Sequence, residues 1–79
     1  MAWRVLEIGD VVWYVSLAAE RLANSDKWGL LLSFRARGRT MRPLWVPYPI
    51  QSSSKASLYA QSEQLTDQEL AQVLAAHLS

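Results

Sequence analysis

Apolar side chains alternate with small or polar ones along residues 28–37, and this two-residue period constrains the fold more than any other feature of the chain. The even-numbered positions hold the apolar residues Trp28, Leu30, Leu32, Phe34 and Ala36. The odd-numbered positions become polar toward the end of the segment, at Arg35 and Arg37. Since successive side chains of a strand point to opposite faces, residues 28–37 are predicted to form a β-strand with one buried face.

Residues 41–48 are predicted to return alongside that strand as the second half of a hairpin. Gly38 can adopt the positive φ that a tight hairpin turn requires. Pro43, Pro47 and Pro49 share one parity, so their missing N–H groups lie along one lateral edge of the segment. Such prolines are tolerated in an edge strand, where they block the addition of another chain. The alternative is an extended proline-rich loop.

Two further strands are predicted before this hairpin, at residues 3–8 and 11–21. A turn at Gly9 and Asp10 separates them, and the β-branched and aromatic content of the second segment favours a strand. Residues 18–24 also contain good helix formers, so a helix is the alternative for that piece.

Two helices are predicted after the hairpin, at residues 54–62 and 67–77. The serines at positions 52–54 precede the first, and a serine hydroxyl can accept a hydrogen bond from a free N–H of the first turn. Thr66 and Glu69 have the spacing of a capping box, which marks the start of the second helix.

These elements predict one α+β domain over residues 1–79, with an antiparallel meander of about four strands and one or two C-terminal helices on one face. A chain of this length buries roughly 60% of its unfolded surface, which is enough for one modest core. The predicted core consists of Trp13, Val15, Leu30, Leu32, Phe34, Leu44 and Val46 from the sheet, with Leu58, Leu70, Val73 and Leu74 from the helices.

Residue types that carry catalysis or bind metals are sparse in this chain. It contains no cysteine and a single histidine, His77, whereas metal sites need clustered ligands. The serines at positions 52–54 have no general base placed near them by spacing. We therefore expect a protein that is not an enzyme, with no catalytic residues, no metal and no cofactor.

The N-terminal segment lacks the basic head and clean apolar run of a signal peptide. No apolar stretch approaches the roughly 20 residues that cross a bilayer. These patterns predict a cytoplasmic protein without a membrane partner.

Several large side chains fall on the strand parity opposite the predicted core. They are Val12, Tyr14, Leu31 and Trp45. If the helices cover only one face, these side chains stay exposed, and a contiguous apolar patch usually marks a partner surface. We therefore expect a small protein-interaction or regulatory module that binds a protein partner, or a second copy of itself, through this face. Alternatively, the N-terminal strand or sheet curvature buries these side chains, as in a small barrel.

Four arginines surround the tip of the predicted central hairpin. They are Arg35, Arg37, Arg39 and Arg42. The net charge is only +1, yet residues 27–62 contain no acidic residue. Because the guanidinium group pairs well with phosphate, nucleic-acid binding through this hairpin is the alternative function. Otherwise the tip is solvated and pairs with Glu63, Asp67 or Glu69.

Overall fold

The computed structural model describes residues 3–38 and 42–78, which form four strands followed by two helices. The strands are β1 (Arg4–Ile8), β2 (Val11–Arg21), β3 (Trp28–Ala36) and β4 (Leu44–Ser52), and the helices are α1 (Lys55–Ser62) and α2 (Asp67–Leu78). Each strand pairs antiparallel with the next, in the order β1-β2-β3-β4. The predicted α+β meander is therefore confirmed.

The fourth strand is longer at its C-terminal end than predicted. It begins at Leu44 and continues to Ser52, so residues 42 and 43 of the predicted strand 41–48 are not part of it. The first residue of that predicted strand, at position 41, and residues 39–40 of the predicted turn lie outside the described residues. Gly29 pairs with Gln51 but Leu30 pairs with Tyr48, so the two intervening residues of β4 bulge out of the ladder. One of them is Pro49, which has no N–H to pair, and the bulge lets the strand resume beyond it.

The edge position predicted from the prolines is confirmed, because β4 is the last strand of the sheet and Pro47 lies within it. The proposed proline-rich loop is wrong. The ambiguous segment at residues 18–21 also belongs to a strand, since Ala19 pairs with Leu30. Tertiary pairing here overrides a local preference for helix.

Local turn and cap chemistry follows the sequence. Gly9 and Gly38 have φ of 62° and 70° respectively. The Ser54 hydroxyl accepts a hydrogen bond from the N–H of Ser57 at 3.1 Å and so caps α1. At the start of α2, the N–H of Glu69 donates to the Thr66 hydroxyl at 3.1 Å and the N–H of Thr66 donates to the Glu69 carboxylate at 3.2 Å. Caps of this kind each contribute about 1 kcal/mol.

The core lies between one face of the sheet and the two helices. Its buried apolar residues are Leu6, Trp13, Val15, Leu30, Leu32, Phe34, Ala36, Leu58, Leu65, Leu70 and Leu74. Leu44, Val46 and Val73 were also predicted in the core, and they pack against it while remaining half-buried. The buried Ser62 hydroxyl donates to the carbonyl of Leu58 at 2.8 Å, so this polar group is satisfied without water.

Among the described residues, no helix is long and apolar enough to cross a membrane.

The outer sheet face as a candidate interaction site

Both helices pack on the same face of the sheet. α1 contacts β3 and β4, α2 contacts β1, and the buried leucines of both helices join the cluster that contains Phe34. No helix or strand among residues 3–38 and 42–78 covers the opposite face, which we call the outer face. Because β1 and β4 lie at opposite edges of the sheet, the described strands do not close into a barrel. The sheet therefore does not bury this face as a closed barrel would, although of the four predicted residues only Trp45 is exposed rather than half-buried.

The four residues predicted from strand parity all lie on the outer face. Trp45 is 55% exposed, while Val12, Tyr14 and Leu31 are half-buried by their neighbours in the sheet. The strand register places Leu31 beside Ala18 of β2 and Pro47 of β4, which makes an apolar row across three strands. This row occupies the middle of the face.

Sequence reasoning missed Val5, Ala18 and Pro47 as members of this face. Val5 is 54% exposed and pairs with Tyr14. The parity of β1 is weak because its apolar residues do not alternate cleanly. The turn at Gly9 was the usable signal, since a two-residue turn there sets the register that places Val5 opposite Tyr14.

The outer face has charge at both ends and hydroxyl groups near its centre. Ser16 pairs with Ser33 in the row next to Leu31. Glu20 is exposed at the end near the β2–β3 turn, whereas Arg35, Arg37 and Glu7 are exposed toward the other end. The Arg35 guanidinium lies 5.9 Å from the centre of the Tyr14 ring, which holds the cation against the sheet by a cation–π interaction.

A shallow pocket of about 270 Å³ lies at the Glu20 end of the sheet. Its lining comprises Glu20, Leu22, Gly29, Leu30, Pro47, Tyr48, Pro49, Ile50 and Gln51. A Cβ added at Gly29 would point to the outer face and lie 2.9 Å from Cδ2 of Leu22, so the Leu22 side chain folds over this glycine. The sequence alone did not predict the pocket, because it depends on the path of the β2–β3 turn and on the bulge in β4.

The hairpin-tip arginines that the structure describes are not paired with acids as the sequence suggested. Arg35, Arg37 and Arg42 are exposed, and no carboxylate of the described residues lies within 4.0 Å of them. Asp67 instead pairs with Arg4 at 3.1 Å, and the Glu69 carboxylate bonds to Thr66, as the capping box requires. Arg39 lies outside the described residues.

The few residues that could carry catalysis are dispersed. Ser54 is engaged in capping α1, and His77 is exposed near the end of α2 with no hydrogen bond to the serines at positions 52–54. Within the described part of the chain, no group of three histidine, aspartate or glutamate residues is placed to hold a metal ion.

Fold and surface together define the class of this protein as a small α+β domain with one sheet face that no described element covers. Comparison with protein-family models, curated proteins and solved structures finds no match for the chain. Its function is therefore inferred from the geometry of the outer face.

Proposed function

We propose that this chain is a small, non-enzymatic protein-interaction or regulatory module that binds a protein through its outer face. The observation that carries the proposal is the 55% exposure of Trp45 on a sheet face that no described element covers. Tryptophan is a frequent anchor of protein interfaces because it buries a large apolar area at low cost in conformational entropy.

The surroundings of Trp45 support the same function. Leu31, Val5 and Tyr14 add apolar surface within the same sheet, and Arg35 lies beside Tyr14. Aromatic residues and arginine are enriched in interfaces. Backbone pairing already orders the central strands, so little conformational freedom is lost when a partner binds.

A photo-crosslinking amino acid at position 45 tests this proposal when the chain is expressed in its native cells. We expect a discrete protein adduct from position 45 and none from position 59, where Tyr59 is an exposed aromatic residue on the helical side of the domain. The captured protein is then identified by mass, purified and titrated against the unaltered chain. Its dissociation constant should rise at least about tenfold with Trp45→Ala, because truncating an interface anchor costs about 2 kcal/mol or more.

Two results would contradict the proposal. One is equal labelling at positions 45 and 59, which would indicate random collision. The other is a purified partner that binds Trp45→Ala as tightly as the unaltered chain.

Nucleic-acid binding is the second candidate function, and one observation favours it. The guanidinium groups of Arg35, Arg37 and Arg42 are exposed without a carboxylate partner among the described residues, so their charge is free to meet phosphate. Arg39 belongs to the same predicted set.

Fluorescence anisotropy with labelled single- and double-stranded oligonucleotides at low salt tests this candidate. If the arginines bind the backbone, affinity should fall steeply with salt, and Arg37→Ala should reduce the slope of log K against log salt by about one. The control is Lys27→Ala in the β2–β3 turn, at the far end of β3 from Arg37, which should leave the slope unchanged. Phosphate contacts are strongest at low salt, so absence of binding at about 20–50 mM salt would rule out this candidate.

A further inference from the structure

We infer that the protein bound by the outer face is a second copy of this chain, packed face to face with its strands antiparallel to those of the first. In this dimer each Trp45 enters the pocket beside Pro47 of the other copy, and each Glu20 pairs with the other copy's Arg35. The inference rests on the proposed function and names the partner of the same face.

A protruding side chain and a hollow occupy neighbouring rows of this face. Trp45 lies in the row of Ser33, and Pro47 lies in the row of Leu31, where it lines the pocket under Leu22. A two-fold axis midway between these rows, in the plane of the interface and perpendicular to the strands, exchanges them. Two-fold interfaces are self-complementary in this manner, because residue i contacts residue j and residue j contacts residue i.

Among the charged residues of the face, Glu20 and Arg35 obey the same symmetry. Glu20 pairs with Gly29 and Arg35 pairs with Tyr14 in the register of β2 and β3, so six residues, or about 20 Å, separate the two charged rows. The axis that brings Trp45 to the pocket also brings Glu20 near the row of Arg35 in the second copy. Sheets packed face to face lie about 10 Å apart, a gap that two long side chains can bridge.

The other two-fold arrangement, with parallel strands, is less favourable. It would place Glu20 close to its own copy at one end. At the other end it would bring Arg35 and Arg37 close to their copies, and Glu7 would offset only part of that repulsion. The antiparallel arrangement instead brings Glu20 toward the opposite charge of Arg35.

The size of the face suits a weak dimer. β3 has nine residues, which extend about 30 Å. β1 pairs only with Val11–Val15, at one end of the sheet, so in the antiparallel dimer it has no strand opposite it. The other three strands span roughly 12–15 Å, so each copy contributes about 400 Å². The pair then buries roughly 800 Å², which is below the size of a standard interface and suits a weak, transient dimer. Its association is therefore best measured at protein concentrations from about 1 µM to about 1 mM.

Charge reversal with mixing tests this inference on the purified full chain. Glu20→Arg and Arg35→Glu are each expected to raise the dimer dissociation constant about tenfold in sedimentation velocity, since each symmetric dimer acquires two repulsive contacts. An equimolar mixture of the two variants should restore association, because both contacts of the mixed dimer then join opposite charges. High salt should weaken the rescue.

Matched control variants change the same charge away from the outer face. Glu63→Arg, at the end of α1, and Lys55→Glu, at its start, should dimerise like the unaltered chain, both alone and mixed. Circular dichroism verifies that all four variants are folded.

Rescue by mixing, confined to the Glu20 and Arg35 variants, supports the antiparallel dimer. A chain that stays strictly monomeric at about 1 mM would overturn the inference. A dimer that neither charge reversal weakens would also overturn it, as would a mixture of the two variants that fails to associate. These failures are distinct from failure of the proposed function, because an adduct of another protein at position 45 would leave that function standing.

Discussion

Phe34→Ala is expected to lower the free energy of unfolding by about 3–5 kcal/mol, the usual cost of removing a buried aromatic ring. Phe34 is 0% exposed, pairs with Val15 of β2 and Leu44 of β4, and lies in the cluster that receives both helices. A domain of this length has few buried residues to share the loss, and small domains are only marginally stable. The variant is therefore expected to be largely unfolded at 37 °C.

Urea denaturation followed by circular dichroism measures this effect, at a protein concentration low enough to keep the chain monomeric. Phe34→Leu keeps most of the volume and should cost less than about 2 kcal/mol. Trp45→Ala removes an even larger ring from the outer face and should cost under about 1 kcal/mol, since most of that side chain is already in water. If Phe34→Ala and Trp45→Ala lower the free energy of unfolding equally, the helices do not cover the face that contains Phe34 in preference to the outer face.

Leu31→Asp is expected to abolish self-association while the fold is retained. Leu31 lies at the centre of the outer face, between Ala18 and Pro47, and no cation shares that row. In a two-fold dimer the substitution places two unpaired carboxylates inside an apolar interface, and burying an unpaired charge costs several kcal/mol. The dissociation constant should therefore rise by at least about 100-fold.

Sedimentation velocity over the same concentration range measures the loss. Leu31→Met should retain association, because it keeps an apolar side chain of similar volume. Gln72→Asp adds a carboxylate to the exposed surface of α2 and should have no effect. If Leu31→Asp associates as well as Gln72→Asp, the centre of the outer face is not buried in the dimer.

Features that depend on neighbours in sequence were predictable. Leu30, Leu32 and Phe34 lie two residues apart, so in a strand they share one face. This spacing predicted that they belong to the core, where all three are buried. The capping box of Thr66 and Glu69 involves residues three positions apart, so its hydrogen bonds form wherever that helix packs.

Features that depend on distant segments were not predictable in the same way. Burial of Leu6 requires the register of β1 on β2, and burial of Leu65 requires α2 to dock on the sheet. The ion pair between Arg4 and Asp67 joins residues 63 positions apart. The distribution of charge along the chain had instead suggested that Asp67 pairs with the arginines of the hairpin tip. Charge pairing in space is set by the packed fold and not by the distribution of charge along the chain.

The amino-acid sequence by itself therefore determined the strands, the caps, the proline-protected edge and the parity of the apolar outer residues, because each follows from backbone sterics or from contacts within a few residues. Only the tertiary structure decided that both helices cover one face and that the sheet stays open. It also decided that the bulge at Pro49 and the Leu22 side chain over Gly29 form a pocket beside Pro47. These features arise from packing between segments far apart in the chain, which local periodicity does not specify.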